Sequence, residues 1–242
     1  MLECDTTNIR SLANYLSRNK SDLCRKDFLL DFVGKIGERK NFIKLMMGIL
    51  NNPSLVKEIA ANSYNHNNDF DKIVIISERP KYELRVHLWG QKSGGSIPAL
   101  HHNHSWNLAS VIILGYLHFQ TYNFSEHGKS MHHYECGFKP GEKSYYFKHL
   151  GKDKIQSTGE MHLSAGSKYF LPEHTIHKIY ESPQKGSVTL MLHGWTTRKI
   201  SDIFSDAILS GVDDIPKKPF SENELRKRIE NLIGSLRENS NG

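Results

Sequence analysis

HHNHSWNLASVIILG, residues 101–115, is the stretch on which the fold turns. His102 and His104 stand two residues apart at the head of an apolar run that ends at Gly115. In an extended chain residues i and i+2 project to the same face, so both imidazoles can enter one interior and reach one metal ion. Further along, GSKYFLPEHTIHKIY (residues 166–180) places Gly166 and Pro172 at a strand boundary and a turn just before His177. A third imidazole from a neighbouring strand completes a facial set of three neutral ligands and leaves positions open on a divalent ion.

Outward from these segments, the chain between 71 and 195 is a series of short runs rich in β-branched and aromatic residues: KIVII, YELRVHLW, ASVIIL, YLHFQTYNF, SYYF, KYFL, TIHKIY and SVTLML. QKSGGSIP, SEHGK, KPGEK and SPQKG break them up, as in an all-β barrel or sandwich. Before this region the apolar residues recur at threes and fours (Ile9, Leu12, Tyr15, Leu16; Phe28, Leu29, Phe32, Ile36; Phe42, Leu45, Met46, Ile49, Leu50), the period of amphipathic helices. The same period returns at Leu225, Ile229, Leu232, Ile233 and Leu236. The expected layout is an N-terminal helical layer over 1–68, a barrel over 69–198 and a C-terminal helical extension over 199–242.

Composition narrows the function class. Fourteen histidines in 242 residues is a high count for a common metal ligand. The formal charge of +6 raises nucleic acid as a partner. The basic residues, however, share their segments with Asp and Glu as solvated helix faces do, and no nucleic-acid partner is expected. The N-terminus MLECDTTNIRSL lacks the basic start and apolar run of a signal peptide, and no long apolar stretch reads as a membrane span. Cys4, Cys24 and Cys136 are odd in number and widely spaced, which fits reduced thiols. A cytoplasmic protein with no membrane partner is the expectation.

These residues resemble the two motifs of the cupin superfamily. Gly166, Pro172 and His177 match its second motif, with His174 where the motif's last glycine usually stands. His102, His104 and Gly115 are similar to the first, and Leu108 occupies the position of the family's glutamate ligand. The resemblance implies a mainly β cupin (double-stranded β-helix, jelly-roll) barrel flanked by helices, with Fe(II) held by His102, His104 and His177. Loss of the carboxylate is similar to the three-histidine cupins, among them the cysteine and cysteamine dioxygenases. An iron dioxygenase taking a small-molecule substrate and dioxygen, without 2-oxoglutarate, is thereby implied. Three alternatives stay open: oxidation of carbon by the same site, hydrolysis or isomerisation on zinc, and a non-catalytic ligand sensor.

Other positions follow from this frame. Where cysteine dioxygenases carry an arginine two residues after a tyrosine, this chain has Tyr64-Asn65-His66, so free cysteine is expected to be a poor substrate. In SVTLMLHGW only Thr189 and His193 offer polar groups, and His193 takes the catalytic position. Arg85 and His87 share one strand face; an inward substrate contact and an outward salt bridge fit equally well. Tyr64, His66, Arg85, His87, Trp106 and His174 make up the substrate-binding candidates. His101 reads as structural and outward-facing, and His132 and His133 as solvated loop residues. Trp106, Tyr116, Phe119 and Trp195 read as core or pocket walls.

Overall fold

The structure, a computed structural model, describes residues 4–66, 70–79, 81–90, 100–138, 145–180, 186–196, 198–209 and 218–238. The breaks expected at 91–98, at 139–143 and over most of 182–186 lie outside the described residues. Four helices open the chain: α1 (Ile9–Arg18), α2 (Lys26–Gly37), α3 (Arg39–Leu50) and α4 (Pro53–Asn62), with a 3-10 turn at Lys20–Cys24 after α1. Asn8 caps α1 by accepting from the Ser11 N–H at 3.1 Å. Asn52 does the same for α4 through Leu55, ahead of Pro53 at a position where a missing N–H costs nothing. The closing helix α5 (Glu222–Glu238) starts with a capping box in which Ser221 and Glu224 exchange hydrogen bonds.

Among the described residues eleven strands lie between these helices: β1 (Tyr64–His66), β2 (Phe70–Glu78), β3 (Tyr82–Trp89), β4 (His101–His102), β5 (Trp106–Leu114), β6 (Tyr116–Phe138), β7 (Tyr145–Ser164), β8 (Lys168–Leu171), β9 (Ile176–Tyr180), β10 (Val188–Thr196) and β11 (Ile200–Ser205). They form two antiparallel sheets, ordered β1-β2-β3-β10-β5-β8 and β11-β4-β9-β6-β7. From β3 to β6, and again from β7 to β11, consecutive strands alternate between the sheets. Sheet structure extends past the expected strand region at both ends, since β1 pairs with β2 and β11 pairs with β4 and β6. SEHGK, expected as a break, lies inside β6, where the register jumps from Phe124 to Lys129 against the single partner Ile155. A strand absorbs such an insertion as a bulge without ending.

The two faces of the first sheet do different work. Leu84, Val86 and Leu88 on β3, Ala109 and Val111 on β5, and Leu190 and Leu192 on β10 are buried together with Leu12, Phe32, Phe42 and Met46 of the helices. Leu225, Ile229 and Leu232 of α5 join the same core. Each such aliphatic or aromatic side chain contributes roughly 1.5–3 kcal/mol by leaving water. Close approach needs small residues: a Cβ on Gly194 would stand 1.9 Å from the Leu23 carbonyl oxygen. The alternate residues face the second sheet, where Leu108, Phe119, Leu171 and Met191 are buried together. Glu83, Arg85, His87 and Trp89 share that inner face by alternation along β3.

Candidate metal centre

Antiparallel pairing of β4 with β9 sets His102 directly opposite His177. The strand stops at His102, so His104 arrives from irregular backbone and not from the extended pair the sequence suggests. Two clamps shape that backbone. Asn103 turns away to exchange side-chain and backbone hydrogen bonds with Asp202 on β11, both at 2.7 Å. The His104 N–H donates to the Glu173 carbonyl at 3.1 Å, and the Glu173 N–H donates to Asn107 Oδ1 at 2.9 Å. The turn ahead of β9 is thereby fastened to the segment after β4.

The three rings converge. Centroid separations are 4.9 Å for His102–His104, 4.5 Å for His102–His177 and 5.0 Å for His104–His177, and one nitrogen of each lies within 4.8 Å of the others. His102 Nδ1 contacts the Leu100 carbonyl at 2.9 Å and His177 Nδ1 the Thr175 carbonyl at 3.2 Å. A carbonyl only accepts, so both Nδ1 atoms carry the proton and both Nε2 atoms present a lone pair. Desolvation, then the neighbouring His102, pushes the His177 pKa down to about 3. Desolvation followed by its two histidine neighbours holds His104 well below the ordinary imidazole value. The set is therefore neutral at neutral pH, the state in which imidazole binds metal. Leu108, at the position of the family's carboxylate, is 2% exposed among Phe119, Leu171 and Met191.

Beside the three histidines lies a polar inner wall. Trp106 stacks on His104 at 5.5 Å and on His193 at 4.5 Å, and the Arg85 guanidinium lies 5.8 Å from the Trp106 ring centroid. Arg85 thus points inward. Its Nη1 donates to Glu83 Oε2 at 2.9 Å. The same carboxylate receives Lys72 at 2.9 Å and Arg79 at 2.9 Å. Burial works against the Glu83 charge, but Lys72, Arg85 and Arg79 together outweigh it and hold its pKa well below the usual carboxylate range. Two permanent guanidinium charges against one carboxylate leave this wall positive. Trp106 Nε1, His193 Nε2 and His87 Nε2 are buried with no hydrogen-bond partner among the described residues. Burial, then the Arg85 charge, pushes the His193 pKa down to about 3.

The remaining candidates distribute unevenly. His87 is buried against Phe70 at 4.4 Å, and His66 stacks on the same Phe70 ring at 4.5 Å. Tyr64 lies 5.5 Å beneath the Lys72 ammonium. This aromatic group sits at the β1–β2–β3 edge, centred on Phe70, which also packs on Trp89 at 4.5 Å. His174 is exposed in the turn closed by the Thr175 N–H to Pro172 carbonyl bond, so the substrate-binding role expected for it has no support in its position. Tyr116 is 46% exposed on the outward side of β6 and walls no core, and Trp195, near the end of β10, is 41% exposed. His101, expected to face outward, is buried edge-on against Tyr122. His133 is also a buried strand residue, held between Asp153 at 2.7 Å and Asp202 at 3.0 Å.

Lys72, Glu83 and Tyr169 were not among the sequence candidates. The Glu83-Leu84-Arg85 spacing did signal a charged pair on one face, and Lys72 opens an otherwise apolar run. Burial raises the pKa of Tyr169, which hydrogen-bonds Ser110 on the neighbouring β5.

No protein-family profile matches the chain, and no curated protein matches it. Among solved structures it is similar to Fe(II)-HppE with an alternative substrate, at 14% identity over 52% of this chain and 50% of that one, with a TM-score of 0.30. It is similar to the Schizosaccharomyces pombe Cnp3 cupin domain at 11% identity, over 53% and 62% of the two chains, TM-score 0.29. For the DMSP lyase DddQ from Ruegeria pomeroyi DSS-3 the values are 12%, 61%, 54% and 0.33. The chain spans between 50% and 62% of the lengths of these three proteins. Likeness at this level transfers neither activity nor ligand.

Proposed function

We propose that this chain is a cupin-type metalloenzyme that holds one Fe(II) on His102, His104 and His177 and oxidises a small anionic thiol with dioxygen. The carrying observation is the convergence of three neutral imidazoles, with no carboxylate in the set, beside a buried guanidinium. Strand order supports the cupin reading, since β3-β10-β5-β8 opposite β4-β9-β6-β7 is the interleaving of a jelly roll. When bound, Fe(II) would supply a Lewis-acidic, redox-active centre for dioxygen and substrate.

The chain's own groups supply orientation and charge. Hydrogen bonds from Nδ1 to Leu100 and Thr175 set the ring orientations of His102 and His177. Neutral ligands leave a divalent ion its full charge, which favours an anionic substrate. His66 carries no guanidinium and packs on Phe70, so a substrate carboxylate falls to Arg85. His193 is neutral at neutral pH; its Nδ1–H donates to the Gly194 carbonyl at 2.9 Å, which leaves Nε2 to accept a hydrogen bond from substrate. Trp106 Nε1 is available as a donor on the same wall. The positive charge beside Glu83 disfavours an ammonium group on the substrate, so a thiol bearing a carboxylate and no amine fits better than cysteine or cysteamine.

The test is metal analysis of protein purified without chelator, followed by oxygen uptake with 3-mercaptopropionate, cysteine and cysteamine. Near-stoichiometric iron and fastest uptake with 3-mercaptopropionate are expected, with KM raised and kcat less affected in Arg85→Ala. Protein that takes up no iron refutes the site. Iron-loaded protein that consumes oxygen only with a diketone or another carbon substrate refutes the thiol reading and keeps the metal.

A further inference from the structure

A second constellation lies on the opposite face of the β6–β7 hairpin and takes no part in the chemistry above. His118 and His162 are direct cross-strand partners. Their rings are parallel, 4.1 Å apart at the centroids with an interplanar angle of 15°. Glu160 precedes His162 by two positions on β7 and so shares its face. One nitrogen from each histidine and a Glu160 oxygen lie within 4.8 Å of one another. Leu117, next to His118, is buried in the cluster between the sheets. His118 and its partners therefore face outward, and Glu160 and His162 are 47% and 67% exposed.

We propose that His118, Glu160 and His162 form a second, surface site for a divalent ion of the zinc class. Both imidazoles address the same carboxylate oxygen: His162 Nε2 is 3.2 Å from Glu160 Oε1, and His118 Nε2 contacts it as well. His118 Nε2 is buried, with the Glu160 carboxylate oxygen as its contact. A cation shared among the three atoms fits this convergence, in which both imidazoles present Nε2 to one carboxylate oxygen. The other carboxylate oxygen is held by Gln120 Nε2 at 3.3 Å, and this bond leads the causes that keep the Glu160 pKa below its usual range. Tyr180 stacks on His118 at 5.4 Å and fixes the ring from the side of β9. Two imidazoles and one carboxylate suit borderline ions over the hard ions magnesium and calcium, and outward exposure leaves a fourth position to water.

The proposal stands apart from the iron reading and is tested apart from it. Zinc is titrated against a chromophoric chelator into the full chain carrying His104→Ala and His177→Ala, which removes the interior group. One zinc ion per chain is expected to persist, bound at least roughly 10-fold more weakly when Glu160→Gln or His162→Gln is added. Zinc-edge absorption should report two imidazoles and oxygen ligands in the starting protein. Both added substitutions are at exposed positions, and circular dichroism confirms that the strands remain. No zinc binding in the doubly substituted chain, or affinity indifferent to both Glu160→Gln and His162→Gln, overturns the site.

Discussion

At the scale of single residues, His104 stands in irregular backbone with its N–H held by Glu173, so truncating its ring removes a ligand and leaves the apolar core intact. His104→Ala is expected to abolish iron binding while the metal-free melting temperature shifts by no more than a few degrees; elemental analysis and thermal melts check it. Leu108 gives the complementary test. It is buried with Phe119, Leu171 and Met191 on the inner wall, where an unpaired carboxylate costs several kcal/mol. Leu108→Glu should therefore destabilise the metal-free protein and regain stability with Mn(II), since the added oxygen ligand favours a harder ion. Equal melting with and without manganese would place position 108 out of reach of the metal.

At the scale of elements, the short β4 is held by what flanks it. Asp202 on β11 shares three hydrogen bonds with Asn103, one of them through its carboxylate, which is itself held by His133 at 3.0 Å and Arg198 at 3.2 Å. Asp202→Ala removes the carboxylate clamp while the two backbone bonds stay, and the loosened segment that carries His102 and His104 should lose roughly 10-fold in metal affinity, as when other outer partners of metal ligands are lost. Competition with a chelator measures it, and an affinity equal to wild type would show that β4 needs no clamp. The helical layer has its own dependence. Gly194→Ala pushes a methyl group against the Leu23 carbonyl and should cost about 1–3 kcal/mol in urea unfolding, with oxygen uptake impaired because His193 is adjacent.

At the scale of the whole molecule, buried imidazoles couple folding to pH. His177 and His193 are depressed from 6.5 to about 3, and His87 and His104 lie well below 6.5, all led by desolvation. Between pH 6.5 and the folded values the unfolded chain binds protons that the folded chain does not, so stability is full above 6.5 and is lost on acidification. Each such histidine contributes a slope of up to about 1.4 kcal/mol per pH unit in that window. Urea unfolding of the metal-free protein at pH 7, 6 and 5 should show the decline, and His193→Gln should flatten it. Bound metal steepens it further, because protons compete for the same nitrogens.

Much of this was legible in the chain. Apolar periods of three and four at Leu12, Phe32, Leu45 and Ile229 specify amphipathic helices, and all four side chains are buried in the shared core. The strand runs from KIVII to SVTLML are equally local, since a repeat in one dimension states which residues share a face, whereas His104 joins His102 from irregular backbone past the end of β4. Tertiary structure alone decided the rest. Register brought His177 across from His102 and Lys72 against Glu83, and it carried His133, expected as a solvated loop residue, between two carboxylates. It also turned Arg85 inward, where the sequence left two directions open. The reason is physical: a periodic pattern marks apolar faces, whereas the partner of a buried charge is chosen by sheet order and strand register, which join residues far apart in the chain.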